Sequence, residues 1–335
     1  MNRTPSIRTA LVAALLAAAA GGAAAQWKPT HPINLIVPWA AGGSTDQVTR
    51  VTAAELEKAL GQTIVIVNQP GASGSIGTKS AFDAPRDGYT WTAGAAQDLG
   101  TYQTLGSLNA SIKDWNLYLT VANIQVIGVN PSRPWQNPQQ LFDAMKAQPG
   151  KISVATAGVT SAGHNAMELI AKATGVQYKD VAYDGGNPAV VATVSGEADL
   201  TTQLAVEQAD MIRGKRLRPL ATVSDKALQL EGYGTIPPLS DTVPKFTAPA
   251  NYFGIFVPKG VPAEVTQTLD RIWRENIASN AALKKYAESR GALFAPSAGD
   301  AAQQAVFPAI QANAWLLFSS GKTKVSPDTV GIAKP

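Results

Sequence analysis

The chain contains the same local pattern twice, and this repeat constrains the fold more than any other feature of the sequence. Each copy consists of strand, glycine-rich loop, helix, glycine, strand, glycine-rich loop, helix, glycine and strand, over residues 33–93 and again over 152–200. Alternating strands and helices of this kind build parallel sheets with helices on their faces. The repeat therefore predicts two similar α/β lobes whose strand–helix loops face a common cleft.

Chain length supports this division. The 335 residues exceed what one hydrophobic core of ordinary size accommodates. Apolar runs at 124–129 and 252–257 are typical of strands that carry the chain from one lobe to the other and back. We predict that residues 26–124 and 250–335 form lobe 1 and that residues 125–249 form lobe 2.

Several residues have the chemistry that helix ends favour. Ser44 is suited to cap the first helix, Asp46 lies in its first turn where a carboxylate suits the helix dipole, and Gly61 ends it. Near the C-terminus, Pro308 is suited to the first position of a last helix over 309–318.

Residues 1–25 have the three parts of a secretory signal peptide. Two arginines precede an apolar run at 11–20, and Ala23–Ala25 offers an Ala-x-Ala cleavage site. An uncleaved membrane anchor is disfavoured because the apolar run is shorter than the ~20 residues that a spanning helix needs. We predict cleavage before Gln26, export to the periplasm and no later membrane span.

Charge, cysteine and histidine content exclude several function classes. Two of the 28 basic side chains lie in residues 1–25, so the exported part is nearly balanced against 24 acidic ones, unlike a nucleic-acid-binding surface. The chain has no cysteine, which excludes disulfides and thiolate chemistry. Its two histidines, His31 and His164, are far apart and lack acidic partners at ligand spacing. We expect no metal and no other cofactor.

The glycines of residues 71–80 do not form a nucleotide-binding or catalytic motif. No GK[ST] closes a P-loop, the spacing is GxxGxxG rather than GxGxxG, and no GxSxG occurs there. A serine hydrolase would need His164 as its general base, yet a helix start disfavours a protonated histidine. We expect a protein that is no enzyme, and an exported serine hydrolase acting through Ser44 or Ser161 is one alternative.

Two loops are candidates for binding an anion. Residues 42–46 and 160–164 each place backbone N–H groups at the start of a helix, and such groups bind anions without lysine or arginine. Ser44 and Ser161 could instead only cap their helices. Because the loops occupy equivalent points of the two repeats, the sequence favours a small anion, most simply a carboxylate, held between the lobes.

A series of short motifs runs through nearly the whole of residues 26–335. They include Ile36-Val37-Pro38, Gly42-Gly43-Ser44-Thr45-Asp46, Pro70-Gly71-Ala72, Asp87-Gly88-Tyr89-Thr90, Gly158, Ser161, His164, Tyr183, Gly185, Asp199-Leu200 and Phe253-Gly254-Ile255-Phe256-Val257-Pro258. In this order and spacing they resemble the Bug family of periplasmic solute-binding proteins, the TctC-like component of tripartite tricarboxylate transporters. The resemblance implies a two-lobe α/β periplasmic-binding fold of type II, a Venus flytrap in which each lobe has a mostly parallel sheet flanked by helices.

The resemblance also implies where the ligand binds. In the family, main-chain groups of the first strand–helix loop hold a ligand carboxylate, partly through ordered waters, and the second lobe closes over the far end. On this sequence the first lobe would contribute Trp39, Gly42, Gly43, Ser44, Thr45, Asp46, Asn68, Ala72 and the loop Ala95, Ala96 and Gln97. The second lobe would contribute Thr160, Ser161, His164, Asp184 and Gln203.

Three positions depart from the family pattern and bear on the ligand. Gln69 stands where arginine is common, Asp184 where a basic residue is common, and Gln203 where the residue is often acidic or otherwise polar. The loss of two cations and the added acid disfavour a tricarboxylate such as citrate. They favour a mono- or dicarboxylate, including aromatic, amino- and amide-bearing ones. Asp184 could instead only cap the turn at 185–189.

The resulting hypothesis is capture of a small carboxylate for a tripartite tricarboxylate-type transporter. The membrane components of that transporter would be the partners of a monomeric binding protein, with no role for nucleic acid. The sequence leaves open a ligand sensor that closes on the same solute but docks to a receptor.

Overall fold

The computed structural model describes residues 27–335. The predicted signal peptide at 1–25 and the cleavage before Gln26 therefore lie outside the described residues. Within the described part, no helix is both long enough and apolar enough to cross a membrane.

The described residues form two main sheets and the helices that cover them. The strands are β1 (Ile33–Val37), β2 (Ile64–Asn68), β3 (Thr90–Ala95), β4 (Trp115–Asn123), β5 (Val126–Val129), β6 (Ser153–Thr156), β7 (Lys179–Ala182), β8 (Leu200–Thr201), β9 (Arg218–Thr222), β10 (Leu228–Leu230), β11 (Gly234–Ile236), β12 (Asn251–Pro258) and β13 (Ala292–Ala298). The α-helices are α1 (Ser44–Leu60), α2 (Ser75–Asp83), α3 (Ala96–Leu105), α4 (Pro138–Ala147), α5 (Ala162–Thr174), α6 (Gly186–Ser195), α7 (Ala205–Arg213), α8 (Ala263–Ile272), α9 (Ala281–Ser289) and α10 (Gly299–Ser319).

Six strands form the first sheet, in the order β13-β4-β12-β3-β1-β2. Strand β1 is parallel to β2 and β3, whereas β12, β4 and β13 pair antiparallel. The antiparallel half arises because β4 leads out of this sheet and β12 leads back into it. Helices α1, α2 and α3 follow the parallel strands, so all three start at the same edge of the sheet.

Five strands form the second sheet, in the order β7-β6-β8-β5-β9. Strand β6 is parallel to β7 and β8, and β5 pairs antiparallel with β8 and β9. Helices α5, α6 and α7 follow the three parallel strands, which reproduces the order of the first sheet. The repeated unit predicted from the sequence is confirmed, but both sheets are mixed rather than mostly parallel.

The division of strands between the sheets follows the chain. The strands up to Asn123 and from Asn251 onward pair in the first sheet, and the second sheet draws its strands from 126–222. Each sheet packs its helices around its own apolar core, with Trp91 fully buried on the first and Met145 on the second. The borders at 124/125 and 249/250 stay a prediction.

The first helix starts in the expected place with a different cap. Ser44 is the first residue of α1, and Gly43 takes the N-cap position without any side-chain cap. Gly61 ends the helix as expected, with φ of 67° in the left-handed region that glycine tolerates. Ser44 is therefore available for contacts outside its own helix.

The last helix is longer than the sequence indicates. Pro308 lies inside α10 rather than at its first position, although an interior proline removes one helix hydrogen bond. The continuation is stabilised by packing against α3, where a Cβ atom at Gly100 would come within 2.3 Å of the Ile310 side chain. This close packing of α3 and α10 overrides the local preference of the proline.

Gly254 marks a close approach of two backbones in the first sheet. A Cβ atom at Gly254 would lie 2.1 Å from the carbonyl oxygen of Tyr118, where the register between β12 and β4 shifts. At Gly94, the partner of Gly254 in β3, the nearest atom would be a ring carbon of Phe256 at 3.7 Å.

We expect Gly254→Ala to destabilise the protein by about 1–3 kcal/mol or more, the usual cost of overpacking. Gly94→Ala serves as the matched control and should change stability much less, because its methyl group meets only ordinary contacts. Urea unfolding of both variants measures the difference. Equal midpoints would contradict the close approach at β4.

Candidate ligand-binding cleft

A small cavity lies where helix starts from both sheets meet. Its volume is about 30 Å³, which leaves room for only a few water molecules. The starts of α1, α3, α5, α6 and α7 all reach it. Its lining residues are Trp39, Gly43, Ser44, Thr45, Ala95, Asp98, Ala157, Ser161, Ala162, Gly186, Gln203, Leu204, Glu207 and Phe253.

The structure brings part of the predicted site to this cavity. The predicted residues that line it are Trp39, Gly43, Ser44, Thr45, Ala95, Ser161 and Gln203. Ala72 and Asp184 line a neighbouring cavity of about 200 Å³, which shares Trp39 and Ala157 with the first. No side chain caps α6, whose N-cap is Gly185, so the alternative role of Asp184 as a helix cap is not observed.

The predicted loop at residues 95–97 does not exist. Strand β3 ends at Ala95 and α3 begins at Ala96 without an intervening loop. Ala96 and Gln97 are buried in the first turn of α3 and are absent from the residues that line the cavity. The next residue, Asp98, reaches it instead.

Two buried acids at the cavity were missed by sequence reasoning. Asp98 is the third residue of α3 and Glu207 is the third residue of α7. These helices follow the third strand of the first and of the second repeat, so the acids occupy equivalent positions. The sequence did contain a signal for these two residues, because an acid occurs at the same place in both repeats.

Asp46 does not line the cavity. It stabilises the loop at residues 39–45, here called the carboxylate loop because it is predicted to hold the ligand carboxylate. Its carboxylate accepts hydrogen bonds from the Gly42 N–H at 2.9 Å, from the Asn68 amide at 3.0 Å and from both ends of the Arg50 guanidinium. Asn68 also donates to the Trp39 carbonyl at 3.1 Å. Burial alone would raise the pKa of Asp46, but these hydrogen bonds hold it below its ordinary value.

The sequence predicted that the N–H groups of this loop bind an anion between the lobes. Not all of them are directed into the cleft. The Gly42 N–H donates to Asp46, and the Gly43 N–H donates weakly to the Ala40 carbonyl at 3.4 Å. Gly42 has φ of 80°, which only glycine adopts without strain, whereas Gly43 has an ordinary φ of −73°. The Ser44 N–H does face the cleft.

Hydrogen bonds between described residues join the lobes beside the two cavities. Glu207 of α7 accepts from the Ser44 N–H at 2.8 Å. The Asp184 carbonyl accepts from the Ala40 N–H at 3.2 Å, and the Thr160 hydroxyl donates to the Ser73 carbonyl at 2.9 Å. Thr160 and Asp184 thus contact the opposite lobe with polar groups.

The cavity is acidic. Burial raises the pKa of Asp98 well above its ordinary value, and no atom of residues 27–335 pairs with its Oδ1. Burial also raises the pKa of Glu207, although the N–H groups of Ser44 and Leu204 oppose this shift. Within the described chain, neither lysine nor arginine is among the lining residues.

His164 lies away from the cavity and is fully buried. Its Nδ1 lies 3.2 Å from an Asp180 carboxylate oxygen, and its Nε2 lies 2.8 Å from the Lys322 ammonium, which also pairs with Glu168 at 2.8 Å. This cluster ties the segment after α10 to α5. His164 is not among the residues that line the cavity, and its predicted contact with the ligand stays a prediction.

The geometry around Ser161 does not support a serine hydrolase. The Ser161 hydroxyl caps α5 by accepting from the backbone N–H of His164 at 3.2 Å. The His164 ring faces Asp180 and Lys322 instead, so it is not positioned to take the hydroxyl proton.

Two α/β lobes closed on a cavity of helix starts define the class of two-lobe solute-binding proteins.

Comparison with known proteins agrees with this class. Residues 48–316 match the Tripartite tricarboxylate transporter family receptor. Protein BugT of Bordetella pertussis is 32% identical over 272 residues, which cover 77% of this chain and 80% of BugT. The periplasmic binding protein BugD shares 25% sequence identity and a TM-score of 0.80, over 88% of this chain and 99% of BugD. The R. palustris protein Rpa4515, solved with adipate, has the same fold, with a TM-score of 0.79 at 24% identity over 88% of this chain and 98% of that one.

This chain belongs to the TctC or Bug family, the receptors of tripartite tricarboxylate transporters. Its members are non-enzymatic periplasmic solute-binding proteins. The predictions of this family, of a two-lobe α/β fold and of a protein that is no enzyme are confirmed.

The Asp46 carboxylate should stabilise the carboxylate loop. We expect Asp46→Ala to cost about 1–3 kcal/mol of unfolding free energy, because it leaves buried hydrogen-bond donors without an acceptor. Asp83→Ala is the control, since Asp83 pairs only with the exposed Lys79 among the described residues and such pairs contribute about 0–1 kcal/mol.

The effect of Asp46→Ala should also depend on pH. The pKa of Asp46 is lower in the folded chain than its ordinary value of 3.8, so its contribution is present above that value and is lost as the pH falls through the lowered pKa. Urea unfolding at neutral pH and at acid pH should show the gap between wild type and variant shrinking in acid. A constant gap would contradict an ionised Asp46.

Proposed function

We propose that this protein captures a small carboxylate in the interlobe cavity and presents it to the membrane components of a tripartite tricarboxylate transporter. The convergence of five helix starts on one cavity carries the proposal. Such starts offer backbone N–H groups and the positive end of a helix dipole, which bind carboxylates without lysine or arginine.

The charges at the cavity support a mono- or dicarboxylate rather than a tricarboxylate. The lining residues of the described chain include two acids, Asp98 and Glu207, and no lysine or arginine, so the three carboxylates of a tricarboxylate would be buried without a cation. Trp39 and Phe253 add aromatic surface to the lining, which suits an aromatic or amide-bearing carboxylate. The adipate in the structurally similar Rpa4515 belongs to the same chemical class.

We assign different roles to the predicted site residues. Direct contact with the solute belongs to the lining residues of the loop and of the second lobe, which are Trp39, Gly43, Ser44, Thr45, Ser161 and Gln203. Gly42, Asp46 and Asn68 shape the loop through their hydrogen bonds. The protein would act as a monomer, since each chain carries both lobes of the site.

A screen of organic acids by thermal shift tests the function. A carboxylate at one hundred times its dissociation constant adds about 2.7 kcal/mol of stability, so its melting temperature should rise, whereas the matching amide should have no effect. The acid should be recovered chemically unchanged. Absence of any shift across mono-, di- and tricarboxylates would overturn the proposal.

Gly43→Val should abolish that shift while leaving the melting temperature without ligand nearly unchanged. A Cβ atom at Gly43 would lie 3.4 Å from the Ala40 carbonyl and 3.6 Å from Glu207 Oε1, so the valine methyl groups enter the cavity. The backbone of Gly43 suits any residue, because its φ is −73°. Unimpaired binding by a stable Gly43→Val protein would place the carboxylate elsewhere.

We also propose that the chain is exported and cleaved before Gln26. Mass spectrometry of protein isolated from the periplasm should find Gln26 at the N-terminus. A membrane-bound chain that retains Met1 would contradict export by a cleaved signal peptide.

A further inference from the structure

Glu207 takes the position that the sequence assigns to a carboxylate of the solute. It belongs to the second lobe, as the third residue of α7, yet its Oε1 accepts a hydrogen bond from the Ser44 N–H in the first lobe at 2.8 Å. Its Oε2 accepts from the Leu204 N–H at 3.2 Å. The anion at the start of α1 is thus supplied by the protein itself.

The glycine at position 186 leaves room for this carboxylate. A Cβ atom at Gly186, the first residue of α6, would lie 1.9 Å from Glu207 Oε1. A Cβ atom at Gly43 would lie 3.6 Å from the same oxygen, which is an ordinary contact. Any other residue at 186 would displace Glu207 from Ser44, so the start of α6 is shaped around the carboxylate.

No positive charge compensates Glu207 within the described chain. It accepts its hydrogen bonds from backbone N–H groups, and the Gln203 amide donates to Oε2 at 3.1 Å in the orientation that satisfies both ends of that amide. The arginines on the neighbouring helices are engaged with other acids. The titratable groups nearest to Glu207 are Asp98 of α3, which lines the same cavity, and Tyr286 of α9, whose pKa the Glu207 charge helps to raise. Asp46 of α1 and Arg290 of α9 act on the same tyrosine.

We propose that Glu207 is an internal ligand that occupies the carboxylate position at Ser44 and determines which solutes can replace it. A solute carboxylate enters when Glu207 gives up the Ser44 N–H and takes one proton from the solvent, so that the two carboxyl groups share that proton. This inference rests on the proposed function, because it specifies the solute class of the same cavity.

The consequence is a preference for solutes with one negative charge. After Glu207 is protonated, the lining residues of the described chain still include no lysine or arginine, so a second carboxylate on the solute would be buried without a cation. Burial already raises the pKa of Glu207, which lowers the cost of the proton uptake. Hexanoate should therefore bind more tightly than adipate, which has the same number of carbons.

The first experiment needs no solute. Amide hydrogen exchange of the peptide spanning residues 39–46 should speed up several-fold in Glu207→Ala, because the Ser44 N–H loses its acceptor. Glu264→Ala is the matched control, since Glu264 lies in the first turn of α8 and is exposed. Unchanged protection of this peptide in a folded Glu207→Ala protein would overturn the internal ligand.

The second experiment measures proton uptake by calorimetry with hexanoate and adipate in buffers of different ionisation heats. As the pH rises, wild type should take up an increasing fraction of a proton per hexanoate, approaching one, and its affinity should fall about tenfold per pH unit above the pKa of Glu207. Glu207→Gln keeps the shape of the side chain and its cap on α7. It should take up no proton, bind hexanoate about tenfold more tightly than wild type one pH unit above the pKa of Glu207, and lose the pH dependence.

The outcomes separate this inference from the proposed function. Weaker hexanoate binding by Glu207→Gln, or binding by wild type without proton uptake, would overturn the role of Glu207. If neither protein binds any acid of the panel, the proposed function falls, and so does the replacement of Glu207 by a solute. The exchange experiment alone still decides whether Glu207 holds Ser44.

Discussion

The first N–H groups of a helix have no acceptor within that helix, and the whole cleft of this protein is organised by this deficiency. Parallel strands place their following helices at one edge of each sheet, so each lobe directs three helix starts to the same side. Five of these starts meet at the cavity. Closure of the lobes supplies acceptors across the cleft, as Glu207 does for the Ser44 N–H.

The charges follow from the same arrangement. Backbone N–H groups are only partial charges, so they hold one carboxylate well and several carboxylates poorly. The protein brings acids and no lysine or arginine from the described chain to the cavity lining. Below the loop, by contrast, the Asp46 carboxylate is neutralised by Arg50, because there its task is to shape the backbone. The acid that shapes the loop is thus paired with an arginine, whereas the acids that line the cavity are not paired with a cation of the described chain.

The sequence by itself determined the features that depend on neighbouring residues. Strand β1 begins at Ile33, where the first repeat was predicted to begin, and helices α1 and α5 end at Gly61 and Gly175 in left-handed conformations. The repeat of these local units was sufficient to predict two α/β lobes, since the alternation of strands and helices leaves few topologies. The loop at Gly42–Asp46 was recognisable for the same reason.

Only the tertiary structure decided which side chains meet. Glu207 reaches Ser44 across 163 positions of the chain, His164 turns toward Asp180 and Lys322 instead of the cavity, and α10 continues through Pro308 because it packs on α3. None of these outcomes is contained in a local pattern, because each depends on the direction of a side chain and on the distance between elements remote in sequence. Helix ends and strand periods are set by neighbours along the chain, whereas the partners of a buried charge are set by how the two lobes close.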